Sequence, residues 1–193
     1  MALTCLPEKW VVRWRGRLVI ALGLAAATCG AAAADAQAKA AVNMAASPPA
    51  LLLPVQGITA RQLRDTFADS RGGKSGGHEA IDIAAPLGTP VLAVDDGRIA
   101  KLFLSRLGGI TIYQFDSTSQ FAYYYAHLDH YAPGLAEGQT VRRGSVIGYV
   151  GFSGNTTPDA PHLHFAIFRL GPEKQWWKGE PINPFPYLGG RKP

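Results

Sequence analysis

Cysteine is scarce in this 193-residue chain, which contains only Cys5 and Cys29. A domain formed by the residues after position 29 would therefore have no disulfide, and a metal site in it would use histidine and carboxylate ligands. The sequence also lacks the run of lysine and arginine that would mark a nucleic-acid-binding surface. The first 34 residues carry four basic residues and one acidic residue, which leaves 15 basic and 13 acidic residues for the remainder. We therefore expect no nucleic-acid partner.

The N-terminal segment has no apolar run long enough to span a membrane comfortably. Basic residues up to Arg17 precede the apolar run Leu18–Ala27, and small residues follow from Ala31 to Ala38. This order is typical of a secretory signal peptide, which we place at residues 1–34. We expect an exported protein without a stable membrane span after the signal is removed. The periplasm is the expected location, with secretion or lipid attachment through Cys29 as alternatives.

The rest of the chain predicts one β domain. Residues 35–57 form an Ala- and Pro-rich linker, residues 58–188 the domain and residues 189–193 a tail. The 22 glycines and 14 prolines favour many turns between short strands. Thr59 and Gln62 have the spacing of a helix-capping pair. We predict a mainly β fold, a compact antiparallel sheet or sandwich with one short N-terminal helix that begins at Thr59 and ends near Ser70.

Two hairpins are predicted within the domain. Val91–Val94 and Arg98–Phe103 flank an Asp-Asp-Gly sequence, and the Asp-Gly step is a common hairpin signal. Ile110–Phe115 and Phe121–His127 flank a five-residue polar turn. Both pairs of strands would be antiparallel neighbours.

Aromatic residues near the second hairpin leave two interpretations open. In a regular strand Tyr123, Tyr125 and His127 share one face, so the tyrosines would either line a groove beside the histidine or lie in the core. Trp176 and Trp177 would form either a wall that contacts substrate or sugar, or a packed lid near the C-terminus. Packing is the commoner use of such rings.

Two histidines two residues apart, His162 and His164, lie among apolar residues and would share one face of a strand. His78 and Asp82 are about 13 Å apart in a fully extended strand, so they can meet at one metal only if the chain bends. Gly77 and the glycine before it make such a bend feasible. His78, Asp82 and His164 would then form an open site with three ligands, the pattern of catalytic zinc. The alternative is that each residue is structural.

Three segments in this order resemble the motifs of the lysostaphin-like (LytM-type) zinc metallopeptidases: Gly77–Asp82, Tyr125–Leu128 and Pro161–Phe165. The resemblance extends over residues 59 to 187. It implies a compact antiparallel β domain that binds one zinc ion and hydrolyses peptide bonds in bacterial peptidoglycan.

The resemblance also implies the role of each site residue. His78, Asp82 and His164 would be the zinc ligands, and His127 and His162 the catalytic pair. Zinc lowers the pKa of a bound water enough to make it a nucleophile at neutral pH. One imidazole would take a proton from the water and the other would stabilise the oxyanion. The sequence does not assign these two roles.

The sequence therefore predicts an exported zinc-dependent endopeptidase that cleaves peptidoglycan through a zinc-activated water. The alternative is a catalytically silent relative that binds cell-wall material and regulates other murein hydrolases. Such relatives often lack metal or catalytic residues, and here all five positions are filled. Ala80 departs from the first motif, which usually has glycine there. A methyl group fits if φ at Ala80 is negative.

Overall fold

Nine β-strands in one antiparallel sheet form the framework of the described chain. The computed structural model describes residues 47–70 and 77–189. The strands are β1 (Ile81–Ala84), β2 (Pro90–Leu92), β3 (Gly97–Ser105), β4 (Gly109–Asp116), β5 (Phe121–Tyr131), β6 (Thr140–Val141), β7 (Val146–Val150), β8 (His162–Leu170) and β9 (Gly179–Ile182). The predicted signal peptide lies outside the described residues. Within the described residues no helix is long and apolar enough to cross a membrane.

The longest strand, β5, organises the sheet. The main strand order is β1-β8-β5-β4-β3-β6, and every pairing is antiparallel. The C-terminal end of β5 also pairs with β7, which in turn pairs with β2, while β9 extends the sheet beyond β8. The predicted mainly β, antiparallel fold is confirmed.

Part of the expected linker belongs to the folded domain. Leu51 and Val55 are buried in the main apolar core, which fills one side of the sheet. The Leu51 N–H donates to the carbonyl of Tyr187 at 2.8 Å, and Val55 forms an isolated bridge with Val91. Burial of these apolar side chains stabilises the segment against the sheet, so the domain begins before residue 58.

The early helix is shorter than the sequence predicts. Only Ala60–Gln62 forms a 3₁₀ turn, although the capping pair is present, with the Thr59 N–H donating to Gln62 Oε1 at 2.9 Å. Leu63 is extended at the turn's end. Beyond it, Asp65 Oδ1 accepts the Phe67 N–H at 3.3 Å, and this local bond competes with a helical one. A helix this short also has little to offset the cost of nucleation.

One predicted hairpin is confirmed and the other is wrong. Strands β4 and β5 pair around the turn at residues 117–120, where the Asp116 carboxylate accepts the Phe121 N–H at 2.7 Å. Strand β2 pairs with β7 and not with β3, so the Asp-Asp-Gly segment is not a hairpin turn. Gly97 instead begins β3, where it pairs with Asp116 of β4 and Val141 of β6. Only glycine fits at this position, because a Cβ would lie 1.9 Å from the Phe115 carbonyl oxygen.

The two adjacent tryptophans lie on the other side of the sheet from the main core. Trp176 is half-buried and packs against Tyr113 and Phe103, with ring centroids 4.8 and 5.3 Å apart. It also borders a small apolar cluster formed by Phe115, Ala122 and Leu170. Trp177 is 62% exposed. The packing interpretation is therefore correct for Trp176, whereas the exposed Trp177 packs edge-on against Trp176, with ring centroids 5.2 Å apart.

Candidate metal centre and adjacent histidines

Neighbouring strands place Asp82 and His164 side by side. In the pairing of β1 with β8, Asp82 lies directly opposite His164. Directly opposed residues point to the same face of a sheet, so the carboxylate and the imidazole meet without any bend in either strand. On its other side, His164 lies opposite Ala126 of β5. The small alanine leaves room above the sheet for the side chains that gather there.

His78 reaches this pair through a reversal of the chain just before β1. Glu79 has φ = +56°, a left-handed conformation that is uncommon outside glycine. The N–H groups of His78 and Glu79 donate to the carbonyls of Asp69 and Phe67, at 3.1 and 2.9 Å. The expected bend is therefore present, but it lies at Glu79 and not at Gly77. Ala80 is fully buried and does not adopt a positive φ, so its methyl group is accommodated.

Three donor atoms converge at this point. His78 Nε2, His164 Nδ1 and Asp82 Oδ1 lie 3.0 to 3.1 Å from one another. The ligand atoms of a tetrahedral zinc site are about 3.3 Å apart, given ligand distances of about 2.0 Å. The donor set and its spacing therefore fit a zinc ion with little rearrangement. The His78 side chain is 2% exposed, whereas the carboxylate and the His164 ring are 28% and 19% exposed, which leaves the site open on one side.

The tautomer of His78 supports a cation at this site. His78 Nδ1 is 3.0 Å from the Thr66 carbonyl oxygen, so that nitrogen carries the proton and donates. In the neutral ring Nε2 then presents a lone pair toward the Asp82 carboxylate, 3.1 Å away. Two acceptors at this distance repel each other unless a proton or a metal ion lies between them. Metal-bound histidines commonly have this second hydrogen bond to a carbonyl.

Burial raises the pKa of Asp82, but hydrogen bonds and charge interactions with His164 and His78 outweigh it and hold that pKa well below its usual range. The carboxylate is therefore ionised at neutral pH and is available as a ligand.

His127 reaches the site because β5 is irregular at this residue. The register with β4 shifts here, so that Ala126 and His127 together lie opposite the single residue Thr111. His127 has φ = +59°, as expected of a β-bulge that redirects a side chain. Tyr123 and Tyr125 are fully buried in the main core, whereas His127 points to the opposite side with Tyr124. The shared face predicted for a regular strand is therefore wrong, and the core interpretation of the two tyrosines is correct.

His127 and His162 lie beside the donor atoms with similar tautomers. Their ring centroids are 4.9 Å apart, and His127 is 5.6 Å from His164. Each Nδ1 is 2.8 Å from a backbone carbonyl, of Ser153 for His127 and of Ala160 for His162, so both Nδ1 atoms carry protons. His162 Nε2 is buried without a hydrogen-bond partner and lies 3.7 Å from Asp82 Oδ1. Burial lowers the pKa of His127 to about 4.

A cleft of about 210 Å³ opens over these side chains. Its walls include Leu107, Gly108, Tyr124 and Asn155. Tyr124 packs edge-on against His164, with ring centroids 5.9 Å apart. Sequence reasoning missed Tyr124, because only the bulge at His127 places the two on one side of the sheet. Of the five residues named from the sequence, His78, His127 and His164 line the cleft. Asp82 and His162 lie beside them.

Fold and site together define a class of protein: an antiparallel β domain with an open His-Asp-His cluster and two further imidazoles beside it. The sequence pattern of peptidase family M23 matches residues 76–184. The chain belongs to that peptidase family.

Individual relatives agree with this assignment. The chain is 34% identical to L-Ala--D-Glu endopeptidase of Bacillus subtilis over 142 residues, which is 70% of this chain and 41% of the relative. It is 41% identical to DD-carboxypeptidase/endopeptidase Mpg of Neisseria meningitidis over 108 residues, 55% of this chain and 22% of the relative. The chain thus spans less than half the length of these curated relatives.

A solved structure shows the same fold. The catalytic domain of the antimicrobial peptidase lysostaphin from Staphylococcus simulans superposes with a TM-score of 0.53 at 30% sequence identity. The match covers 63% of this chain and 86% of that domain.

Proposed function

We propose that this chain is an exported zinc-dependent endopeptidase that hydrolyses peptide bonds of bacterial peptidoglycan. His78, Asp82 and His164 are the proposed ligands of one zinc ion, and His127 and His162 the proposed catalytic residues. The observation that carries the proposal is the convergence of three ligand atoms within 3.1 Å of one another beside two further imidazoles. A His-Asp-His cluster with a purely structural role would not require His127 and His162 beside it.

Zinc at such a site supplies Lewis acidity toward a peptide carbonyl and lowers the pKa of water. The chain's own residues prepare the site for it. The Thr66 carbonyl fixes the His78 tautomer so that Nε2 is a ligand atom. The exposed side of the cluster leaves space for substrate above His164, and the edge of Tyr124 limits rotation of that ring.

Proton transfer falls to His127 and His162. Because backbone carbonyls hold the protons on both Nδ1 atoms, each neutral ring presents an Nε2 lone pair as a proton acceptor. A ring that accepts a proton there can return it to the amine that leaves when the peptide bond breaks. The second ring can donate a hydrogen bond to the developing oxyanion when it enters the reaction in its protonated form.

Peptidoglycan is the proposed substrate because of the relatives. One is named for an L-Ala–D-Glu bond and another for DD-peptidase activities, so the names of the relatives do not point to a single cleaved bond. Export is proposed because peptidoglycan lies outside the cytoplasm and residues 1–34 have the signal-peptide pattern. Mass spectrometry of a peptidoglycan digest made with the zinc-loaded full-length chain would identify the bond.

Single substitutions test the assigned roles. We expect His164→Ala to lose both zinc and cleavage, because it removes a ligand. His127→Ala and His162→Ala should keep one zinc per chain and lose cleavage about 10²- to 10⁴-fold, the usual contribution of acid–base catalysis. His130→Ala is the control, since this exposed imidazole pairs with Asp129 away from the zinc cluster. Zinc content and release of soluble muropeptides are measured for each variant.

Two outcomes would contradict the proposal. Full cleavage by zinc-loaded His127→Ala and His162→Ala would show that the assigned catalytic pair is wrong. A zinc-loaded native chain that binds peptidoglycan but digests none from several sources would favour the catalytically silent alternative.

A further inference from the structure

The bulge at His127 interrupts the hydrogen-bond ladder between β4 and β5. Ile110 and Leu128 are the paired residues on one side of it, and the register shifts between this pair and the next one, Ile112 with Tyr125. The His127 N–H leaves the ladder and donates to the Gly108 carbonyl at 2.8 Å. A bulge leaves neighbouring backbone groups in need of other partners, and Leu128 is fully buried, so water cannot supply one there.

A serine from another loop supplies that partner. Ser153 Oγ donates to the Leu128 carbonyl at 2.6 Å and accepts the Ile110 N–H at 3.0 Å. One hydroxyl thus joins two residues of the β4–β5 pair next to the bulge. A hydroxyl can do this because it is both a donor and an acceptor.

The backbone of the same serine holds the imidazole. The Ser153 carbonyl accepts the His127 Nδ1–H at 2.8 Å. We propose that Ser153 is a positioning residue for His127: its hydroxyl anchors the loop to the bulge so that its carbonyl fixes the tautomer and orientation of the ring. The inference deepens the proposed function and relies on it for the kinetic measurement only.

Two glycines allow the loop to approach this closely. Gly109 and Gly154 have φ values of +65° and +86°. A Cβ on Gly109 would lie 2.2 Å from Ser153 Oγ, and a Cβ on Gly154 would lie 2.2 Å from the Leu107 carbonyl oxygen. That same carbonyl accepts the Asn155 N–H at 3.0 Å. The segment that contains Leu107 and Gly109 is therefore in close contact with the loop on both sides of Ser153.

Removal of the Ser153 hydroxyl should let the His127 ring move, although every atom that contacts the ring is retained. Ser153→Ala keeps the carbonyl but frees it from the bulge. Because small errors in the position of a catalytic group reduce turnover strongly, we expect kcat to fall about 10- to 100-fold. KM should stay within about threefold and zinc content should not change. Ser153→Thr keeps a hydroxyl and should recover most of kcat.

A spectroscopic measurement tests the positioning directly. In the zinc-loaded full-length protein labelled with ¹⁵N-histidine, long-range ¹H–¹⁵N spectra report which ring nitrogen of each histidine carries the proton. We expect native His127 to be protonated at Nδ1, with slower exchange of that proton than in the exposed His130. Ser153→Ala should give faster exchange or a mixture of tautomers at His127, with the His130 signals unchanged.

Thr156→Ala is the matched control, because it removes a hydroxyl from the same loop. Among the described residues that hydroxyl makes one long hydrogen bond, of 3.4 Å, to the Ala160 carbonyl. If Ser153→Ala retains the native His127 signals, or if its kcat equals that of Thr156→Ala, the positioning role is refuted. If Ser153→Ala does not fold, native protein still decides: an unprotonated or rapidly exchanging His127 Nδ1 would overturn the inference. A native chain without peptidase activity would refute the proposed function while leaving the spectroscopic test intact.

Discussion

Zinc binding should be visible as a gain in thermal stability that depends on Asp82. The three proposed ligand atoms come from β1, from β8 and from the segment before β1, so an ion that joins them would stabilise the folded state only. With free zinc at 100 times its dissociation constant, the expected stabilisation is about 2.7 kcal/mol. For a domain of this size that corresponds to a rise in Tm of roughly 5–10 °C.

The measurement is a thermal unfolding scan with zinc and with a chelator, for native protein and for two variants. Asp82→Ala removes the carboxylate ligand and should abolish the zinc-dependent rise. Asp129→Ala is the control, because Asp129 also pairs with a histidine, His130, at 2.7 Å but lies exposed on β5. An unchanged zinc-dependent rise in Asp82→Ala would refute the assignment of this cluster as the metal site.

Three further predictions concern the scaffold. Tyr125→Phe removes the buried hydroxyl that donates to Gln114 Oε1 at 2.7 Å, and urea unfolding should show a loss of about 1–3 kcal/mol. Trp176→Ala should lower the free energy of unfolding by about 3 kcal/mol, whereas Trp177→Ala, which removes an edge-on contact of an exposed ring, should lower it by about 1 kcal/mol or less in the same assay. Gly97→Ala should destabilise the protein by at least about 1–3 kcal/mol and lower its Tm, because the new methyl group meets a strand carbonyl.

The sequence was sufficient for the fold class, and the five residues that it names for the proposed site lie together in the structure. Turn-rich composition and short apolar segments predict an antiparallel β domain, and the absence of cysteine after residue 29 limits a metal site to histidine and carboxylate ligands. The resemblance to the motifs of the family selects His78, Asp82 and His164 as the proposed zinc ligands. The fold-class inference succeeds because turn-forming residues between short apolar segments favour β structure.

Local patterns failed where distant parts of the chain compete for the same backbone groups. The predicted β2–β3 hairpin is replaced by the pairing of β2 with β7, and the expected helix after Thr59 is reduced to one 3₁₀ turn. Thr66, in the region predicted as helix, instead uses its carbonyl to bind His78 and its hydroxyl to accept the Asp82 N–H at 3.2 Å. Contacts with residues 12 and 16 positions away take precedence over helix propensity there.

What the sequence by itself determined is which side chains are available to the site; the tertiary structure decided how they face it. The register of β1 against β8 sets Asp82 beside His164, although the two are 82 residues apart in sequence. The bulge at His127 turns that ring away from the core, and a backbone carbonyl of Ser153 selects its tautomer. The strand register, the bulge and the position of the carbonyl are properties of the paired backbone. Because every residue type has the same backbone, these properties cannot be read from the pattern of side chains.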